Sequence, residues 1–261
     1  MCVFHQQDYI NLLKLLITSI SLYGNINKET TDILIITSPI FQPIIQKELE
    51  TFNLPLQYHI LDLQTLFESS CCKLNIFLYN EIDKYQKILY IDTDVLINSD
   101  INKLFDIEIS SEKLYALEEG EIGHEYWGSE FFDFTKFNTN TPAFSAGVFY
   151  IMNSLSMKKL FEDTLLHIST YLSENKPIPT CLDQPFLVYN CFIQNKYDNQ
   201  LMKDYLENNP ITVNKEKIIY HFPGGPGWYI NKYQKMSVFV NKMTEFWGNY
   251  IKYICNVANN N

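Results

Sequence analysis

Asp92-Thr93-Asp94 closes one apolar run, Lys87-Ile88-Leu89-Tyr90-Ile91, and opens another, Val95-Leu96-Ile97. Side chains alternate along a strand, so residues two apart share a face. Two carboxylates therefore leave the end of a buried strand side by side. Like charges that close resist joint ionisation unless a cation neutralises them. Hard divalent cations prefer carboxylate and phosphate oxygens, so the spacing predicts a metal site that holds a phosphorylated ligand. A solvated loop or a helix cap can present the same pair, and the buried strand in front of it is what favours the metal.

An alternating series of elements leads up to the pair. Residues 2–4 are a short apolar strand. Asp8 can then cap a helix whose face carries Ile10, Leu13, Ile17 and Ile20 and which stops at Gly24. Residues 32–37 form a buried strand, 41–52 a helix opened by Pro43, 56–61 a strand, 73–82 a helix and 87–92 the strand that carries the pair. This order predicts an α/β fold with a mixed, mostly parallel sheet flanked by helices. Ligands in such sheets bind beyond the carboxyl ends of the strands, where Asp92 and Asp94 fall. The second half is less regular. Strands are expected at 113–117, 144–152 and 217–220, and helices at 156–172 and 183–194, the latter with Pro185 in its first turn. A long C-terminal helix follows, with a frayed tail at 255–261. Without an internal repeat or a linker-like stretch, residues 1–261 read as a single domain.

Charge narrows the partners. A net charge of -10 over 261 residues argues against nucleic acid or an anionic membrane. All 20 Lys+Arg residues are lysines, so phosphate must be held by lysine, backbone amides or metal, never by a bidentate guanidinium. The apolar stretch 12–22 is too short to span a bilayer and is broken by Lys14, Thr18, Ser19 and Ser21. Cys2, Cys71, Cys72, Cys181, Cys191 and Cys255 lack metal-finger spacing, and adjacent Cys71 and Cys72 cannot pair with each other. Reduced, mostly buried thiols in a cytoplasmic protein are the expectation.

Several separated pieces, taken in order, resemble glycosyltransferase family 8, the glycogenin-like retaining transferases that use nucleotide sugars. They are residues 3–9, Cys72-Lys73-Leu74-Asn75-Ile76-Phe77, Ile88-Leu89-Tyr90-Ile91-Asp92-Thr93-Asp94, Phe144-Ser145-Ala146-Gly147-Val148-Phe149, Leu182-Asp183-Gln184 and His221-Phe222-Pro223-Gly224. The resemblance implies a GT-A-type domain with a Rossmann-like nucleotide-binding half and a UDP-sugar donor, UDP-glucose first. It implies Asp92, Asp94 and His221 as ligands of a divalent metal. Imidazole beside two carboxylates suits Mn²⁺ better than Mg²⁺, the alternative ion.

By the same resemblance Phe4, His5 and Tyr9 meet the nucleotide base and ribose. Lys73 and Thr93 face the donor phosphate or sugar, Ser145 and Ala146 the sugar, and Gly224 lets backbone approach a phosphate. Asp183 and Gln184 orient the sugar hydroxyls and stabilise the cationic sugar. Two positions depart from the family pattern. Ser145 stands where asparagine is usual, and Gly227 stands where a lysine usually holds the diphosphate, with Lys232 as a substitute nearby. The acceptor is a glycan or protein hydroxyl, and a homodimer is compatible with the resemblance.

Each residue also has a plainer role open to it. Lys73 can be a surface lysine, Tyr9 a packing aromatic, Ser145-Ala146-Gly147 a close-packed run, Asp183-Gln184 a helix cap, and His221 a structural hydrogen-bonder. Tyr126, Trp127, Phe131, Phe132, Phe134 and Phe137, within the long segment 118–141, suit acceptor sugar rings and core packing equally. Three other functions compete. A haloacid-dehalogenase-like phosphatase also follows a strand with Asp-x-Asp, but normally its first strand. A catalytically weak nucleotide-sugar-binding protein would bind donor without product. An inverting transferase would need a base such as Glu118, Glu119 or Glu121.

Asp92→Asn and Asp94→Asn are each expected to abolish turnover and leave the fold intact. Nucleotide release measured beside a circular-dichroism melt checks this, and wild-type-like activity in either variant removes the metal-site reading.

Overall fold

The computed structural model describes residues 1–4, 6–224 and 229–259. His5 and Gly227, singled out above, lie outside the described residues. Strands β1 (Cys2–Val3), β2 (Ile33–Thr37) and β3 (Leu56–Ile60) form a parallel sheet in that order. Helices α1 (Gln7–Tyr23) and α2 (Phe41–Leu49) are the crossovers between them. Asp8 lies in the first turn of α1 and not at its cap, which is Gln6.

Helix α3 (Leu66–Cys71) starts earlier than expected, because Thr65 and Glu68 form a reciprocal capping box. The expected helix at 73–82 is instead a tight 3₁₀ helix, Cys72–Leu78, followed by a 3₁₀ turn, Ile82–Lys84. The sequence periodicity there records burial of Leu74 and Ile76, which a 3₁₀ coil satisfies as well as an α-helix does.

Strand β4 (Lys87–Ile91) leads through the Asp92-Thr93-Asp94 turn into β5 (Val95–Ile97), which α4 (Asn102–Phe105) follows. The expected strand at 113–117 shortens to β6 (Leu114–Tyr115). Segment 118–141 is not a plain loop. It opens with β7 (Glu118–Glu121), which pairs antiparallel with β8 (Pro142–Phe144) across a bulge. The expected strand at 144–152 is broken at Ser145-Ala146-Gly147, whose backbone turns toward other elements, and resumes as β9 (Val148–Met152). After α5 (Leu155–Ser173) and α6 (Gln184–Ile193) come β10 (Tyr197–Asp198), α7 (Met202–Tyr205), β11 (Leu206–Asn208), β12 (Ile219–His221) and α8 (Tyr229–Asn259). The tail expected at 255–261 overlaps the end of α8, and its last two residues lie outside the described residues.

Pairing is mixed among the described residues: β1–β2, β2–β3, β6–β10 and β11–β12 are parallel, and the other four pairs are antiparallel. Strand β9 pairs antiparallel with β4 and β6, and β12 pairs parallel with β11 and antiparallel with β5. Side-chain alternation along β9 divides the core. Phe149 and Ile151 join one apolar cluster with Phe161 and Phe186, whereas Val148 and Tyr150 join the other with Ile17 and Ile35. Helices therefore cover both faces. Helix α8 adds a third cluster, with Met236, Phe239 and Met243 against Leu12, Leu96 and Tyr220. Among the described residues no helix is long and apolar enough to cross a membrane.

The Cys2 and Cys72 sulfurs meet across 70 residues of chain, while Cys71, Cys181 and Cys191 stand apart from other sulfurs. Spacing could not reveal the pair, because only folding brings β1 against the start of the 3₁₀ helix.

Ser19 shows how α1 is tied to the strand beyond the acidic turn. Its buried hydroxyl donates to the Leu16 carbonyl (2.7 Å) and accepts from the Ile97 amide (2.9 Å). Ser19→Ala leaves that buried amide unpaired, an expected loss of about 1–3 kcal/mol. Urea unfolding measures it, with an unchanged m-value showing that the transition is otherwise the same.

Candidate active site

Backbone pairing assembles the site. The β4–β9 ladder places Ile91 opposite Val148 and continues into an Asp92 N–H to Gly147 carbonyl bond of 2.8 Å. The β5–β12 ladder places Val95 opposite His221, and the Phe222 amide donates to the Asp94 carbonyl at 2.9 Å. Two antiparallel pairings thus carry Gly147 to Asp92 and His221 to Asp94.

His221 stands between the two carboxylates. A Cβ added to Gly147 would lie 2.8 Å from His221 Nε2 and 3.1 Å from Asp92 Oδ2. Glycine is required there because any side chain would fill the space between imidazole and carboxylate. His221 Nε2 is also 3.5 Å from Asp94 Oδ1, a buried oxygen without a hydrogen-bond partner. On the far side of the ring, Nδ1 lies 3.0 Å from Asn208 Oδ1. An amide oxygen only accepts, so Nδ1 donates to it, and Nε2 is the ring nitrogen turned toward the carboxylates.

The donor set suits a divalent metal: two carboxylates, one of them with an orphaned oxygen, and an oriented imidazole. As placed, however, no three His, Cys, Asp or Glu groups among the described residues lie close enough to form a finished metal cage. Two carboxylate oxygens are otherwise engaged. The Tyr90 hydroxyl donates to Asp92 Oδ1, and Lys232 Nζ lies 2.5 Å from Asp94 Oδ2. Burial pushes the Asp94 carboxyl up, but Lys232 and His221 outweigh it and hold it well below the ordinary carboxylate range.

A second charged group lies behind the first. Lys73 is buried, 3.2 Å from Asp183 Oδ2 and 3.9 Å from Asp92 Oδ2, and donates to the Ala146 carbonyl at 3.3 Å. Its ammonium also lies 5.2 Å from the centre of the Tyr90 ring, within cation–π range. Burial disfavours its charge, but Asp183 and Asp92 together hold it protonated. Burial lifts the Asp183 carboxyl; Lys73 opposes that shift and Asp92 reinforces it.

Asp183 follows Leu182, whose φ of 55° is left-handed, a rare conformation for a branched residue. Such backbone strain persists only where the surroundings enforce it. Gln184 is clamped at both ends, since its Oε1 accepts from Ala146 N and its Nε2 donates to the Tyr126 carbonyl, each at 3.0 Å.

Other predicted residues divide by position. Thr93, Phe4 and Ala146 are buried, Gly224 is exposed, and Ser145 accepts weakly from the Gly147 amide at 3.4 Å. Tyr9 packs on the core near Asp92 and Asp94; burial, then those carboxylates, push its hydroxyl pKa up. The aromatic segment is mostly packing. Phe131 and Phe132 contact Phe186, Tyr189 and each other's neighbours, and only Tyr126 and Phe134 among the six are exposed. Tyr90, Asn208 and Gly147 escaped the sequence reading. Their signal is positional, two before Asp92, in register with His221, and after the Ser145-Ala146 break, and it emerges only once the strands pair. Glu119 also lies near Ser145 and His221; burial lifts its carboxyl, and His221 opposes the shift.

A mixed α/β sheet flanked by helices is the fold of GT-A glycosyltransferases, and solved structures bear this out. Mouse xyloside xylosyltransferase 1 in its apo form aligns with a TM-score of 0.60 and 10% identity over 85% of this chain and 96% of its own. The galactosyltransferase LgtC, in complex with donor and acceptor sugar analogs, aligns at 0.56 and 13% over 91% and 95%. The WbbM bifunctional glycosyltransferase apo structure aligns at 0.59 and 14%, and this chain spans 49% of it. A model of glycosyl transferase family 8 matches residues 13–226, and the chain belongs to that family. Glycogenin of Komagataella phaffii (strain GS115 / ATCC 20864) is 41% identical over 66 residues, 25% of this chain and 15% of that protein.

Lys73→Met strands Asp183 in a buried setting. The expected loss is about 3–5 kcal/mol of stability in urea unfolding, the range for breaking a buried ion pair from one side. Adding Asp183→Asn removes the uncompensated charge, so the double variant should be more stable than the two single losses added together.

Proposed function

We propose that this chain is a retaining, metal-dependent hexosyltransferase that moves a sugar from a UDP-sugar, UDP-glucose first, to an acceptor hydroxyl. The observation that carries the reading is His221 Nε2, which shares the space at Gly147 with Asp92 and lies 3.5 Å from Asp94 Oδ1, backed by Lys73 and Gln184 on the Ala146 backbone and by Asp183 on Lys73. Asp92, Asp94 and His221 would hold Mn²⁺, with Mg²⁺ as the alternative. When bound, such an ion neutralises charge on a leaving diphosphate.

The chain's own residues supply the rest. Asn208 fixes the His221 tautomer. Tyr90 and Lys73 hold Asp92 in place from opposite sides. Lys73 is matched by two carboxylates and acts as a positioning group. Asp183 keeps its carboxylate in a site from which water is excluded, suited to a sugar that develops positive charge. Gln184 retains a second lone pair on Oε1 after its bond to Ala146, which can accept from a sugar hydroxyl. Attack from the face the diphosphate leaves retains configuration, and the departing phosphate oxygen takes the acceptor proton, so no strong protein base is needed.

Phe4, His5 and Tyr9 would meet the nucleotide, and Thr93, Ser145, Ala146 and Gly224 the phosphates and sugar. Tyr126, exposed and bonded through its carbonyl to Gln184, is the aromatic best placed for an acceptor glycan or protein. A cytoplasmic location and a homodimer are further parts of the reading. The phosphatase alternative loses its ground, since Asp92 follows the fourth strand of a family 8 chain.

A panel of UDP-sugars with Mn²⁺, read as nucleotide release together with intact protein mass, tests the proposal. The expected outcome is metal-dependent UDP release from one donor above all others, abolished by chelation. Release from none, with or without metal, overturns the enzyme reading.

A further inference from the structure

Asp94 already has a cation, and that cation is part of the chain. Lys232, in the first turn of α8, places Nζ 2.5 Å from Asp94 Oδ2 and 3.1 Å from the Gly224 carbonyl. Both side chains are largely buried, 11% and 12% exposed. Helix α8 cannot simply withdraw. One turn along, Met236 is fully buried in the cluster with Leu96, Tyr220 and Phe222, and Trp247 donates to Asn98 Oδ1 at 3.1 Å. The backbone carrying Lys232 is therefore anchored to the strands that carry Asp94 and His221, and only the long, flexible lysine stem is free to move.

A divalent ion on Asp94 would meet this ammonium at contact distance, and like charges so close disfavour each other. Lys232 thus opposes a metal that arrives alone. A diphosphate reverses the balance, because it brings negative charge between the metal and the ammonium. The second contact of Lys232, the Gly224 carbonyl, is only an acceptor that an ammonium leaves readily for a phosphate oxygen.

We propose that Lys232 is an exchangeable counter-ion of Asp94, which a metal displaces and a diphosphate recaptures, so that metal and nucleotide bind cooperatively. The inference rests on the metal site proposed above. Without Lys232 metal alone should bind more tightly and the nucleotide should add less to it. Coupling is reciprocal, so the same factor appears in either order of addition.

The test measures Mn²⁺ affinity by the electron paramagnetic resonance signal of free Mn²⁺, with and without saturating UDP, in wild type, Lys232→Met, Lys232→Arg and Asp94→Asn. Wild type should show an enhancement by UDP of about 5- to 150-fold, the usual span of coupling between sites. Lys232→Met should bind Mn²⁺ alone more tightly than wild type and lose most of that enhancement. Lys232→Arg keeps the charge and should keep most of the coupling, which separates charge from any loss of packing in α8. An enhancement unchanged in Lys232→Met overturns the exchange while leaving the metal site standing. Mn²⁺ binding that persists in Asp94→Asn, or is missing from wild type even with UDP, overturns the metal site and the exchange with it.

Discussion

Buried charge must be neutralised where it lies, and this requirement organises the interior around the acidic turn. Asp94, Asp183 and Lys73 are all buried, and each is within ion-pair reach of an opposite charge. Lys73 answers Asp183 and, at longer range, Asp92; Lys232 and His221 face Asp94. A low-dielectric setting makes every unpaired charge expensive. Four elements distant in sequence are consequently held to one another: the 3₁₀ helix, the β4–β5 turn, the start of α6 and the start of α8.

The break between β8 and β9 is the hinge of this arrangement in sequence terms. Ser145-Ala146-Gly147 looks like a run of small residues that packs closely, and it does pack closely. Yet Ala146 offers its amide to Gln184 and its carbonyl to Lys73, while Gly147 offers its carbonyl to Asp92 and its missing side chain to His221. Backbone groups from two residues thereby connect both halves of the site. Substituting side chains around them would alter individual contacts, whereas a Cβ at Gly147 would close the space in which they meet.

Much of the first half was legible because strands in the core leave unbroken apolar runs. Ile33–Thr37 and Lys87–Ile91 appear as strands where the composition places them, and Gly24 ends α1. Misreadings follow a common cause. The 3₁₀ helix at Cys72–Leu78 buries residues at a spacing that α-helix shares, and the short strands β7, β10 and β11, unread in the sequence, exist only because neighbours pair with them. The aromatic segment looked equally suited to sugar and to core. Packing of Phe131 and Phe132 against α6 resolved most of it toward core and left Tyr126 at the surface beside Gln184.

Residue types and their order, by themselves, determined the acidic pair at a strand end, the mixed α/β fold, the want of arginine and the family. Such features are local, or lie in the order of residues along the chain, so they survive without coordinates. Tertiary structure alone decided which groups face one another: Asn208 behind His221, Tyr90 beneath Asp92, Cys2 against Cys72, and Lys232 on Asp94 across 138 residues. The physical reason is that a charge's partner is set by strand register and helix docking, and neither leaves a mark at the residue itself.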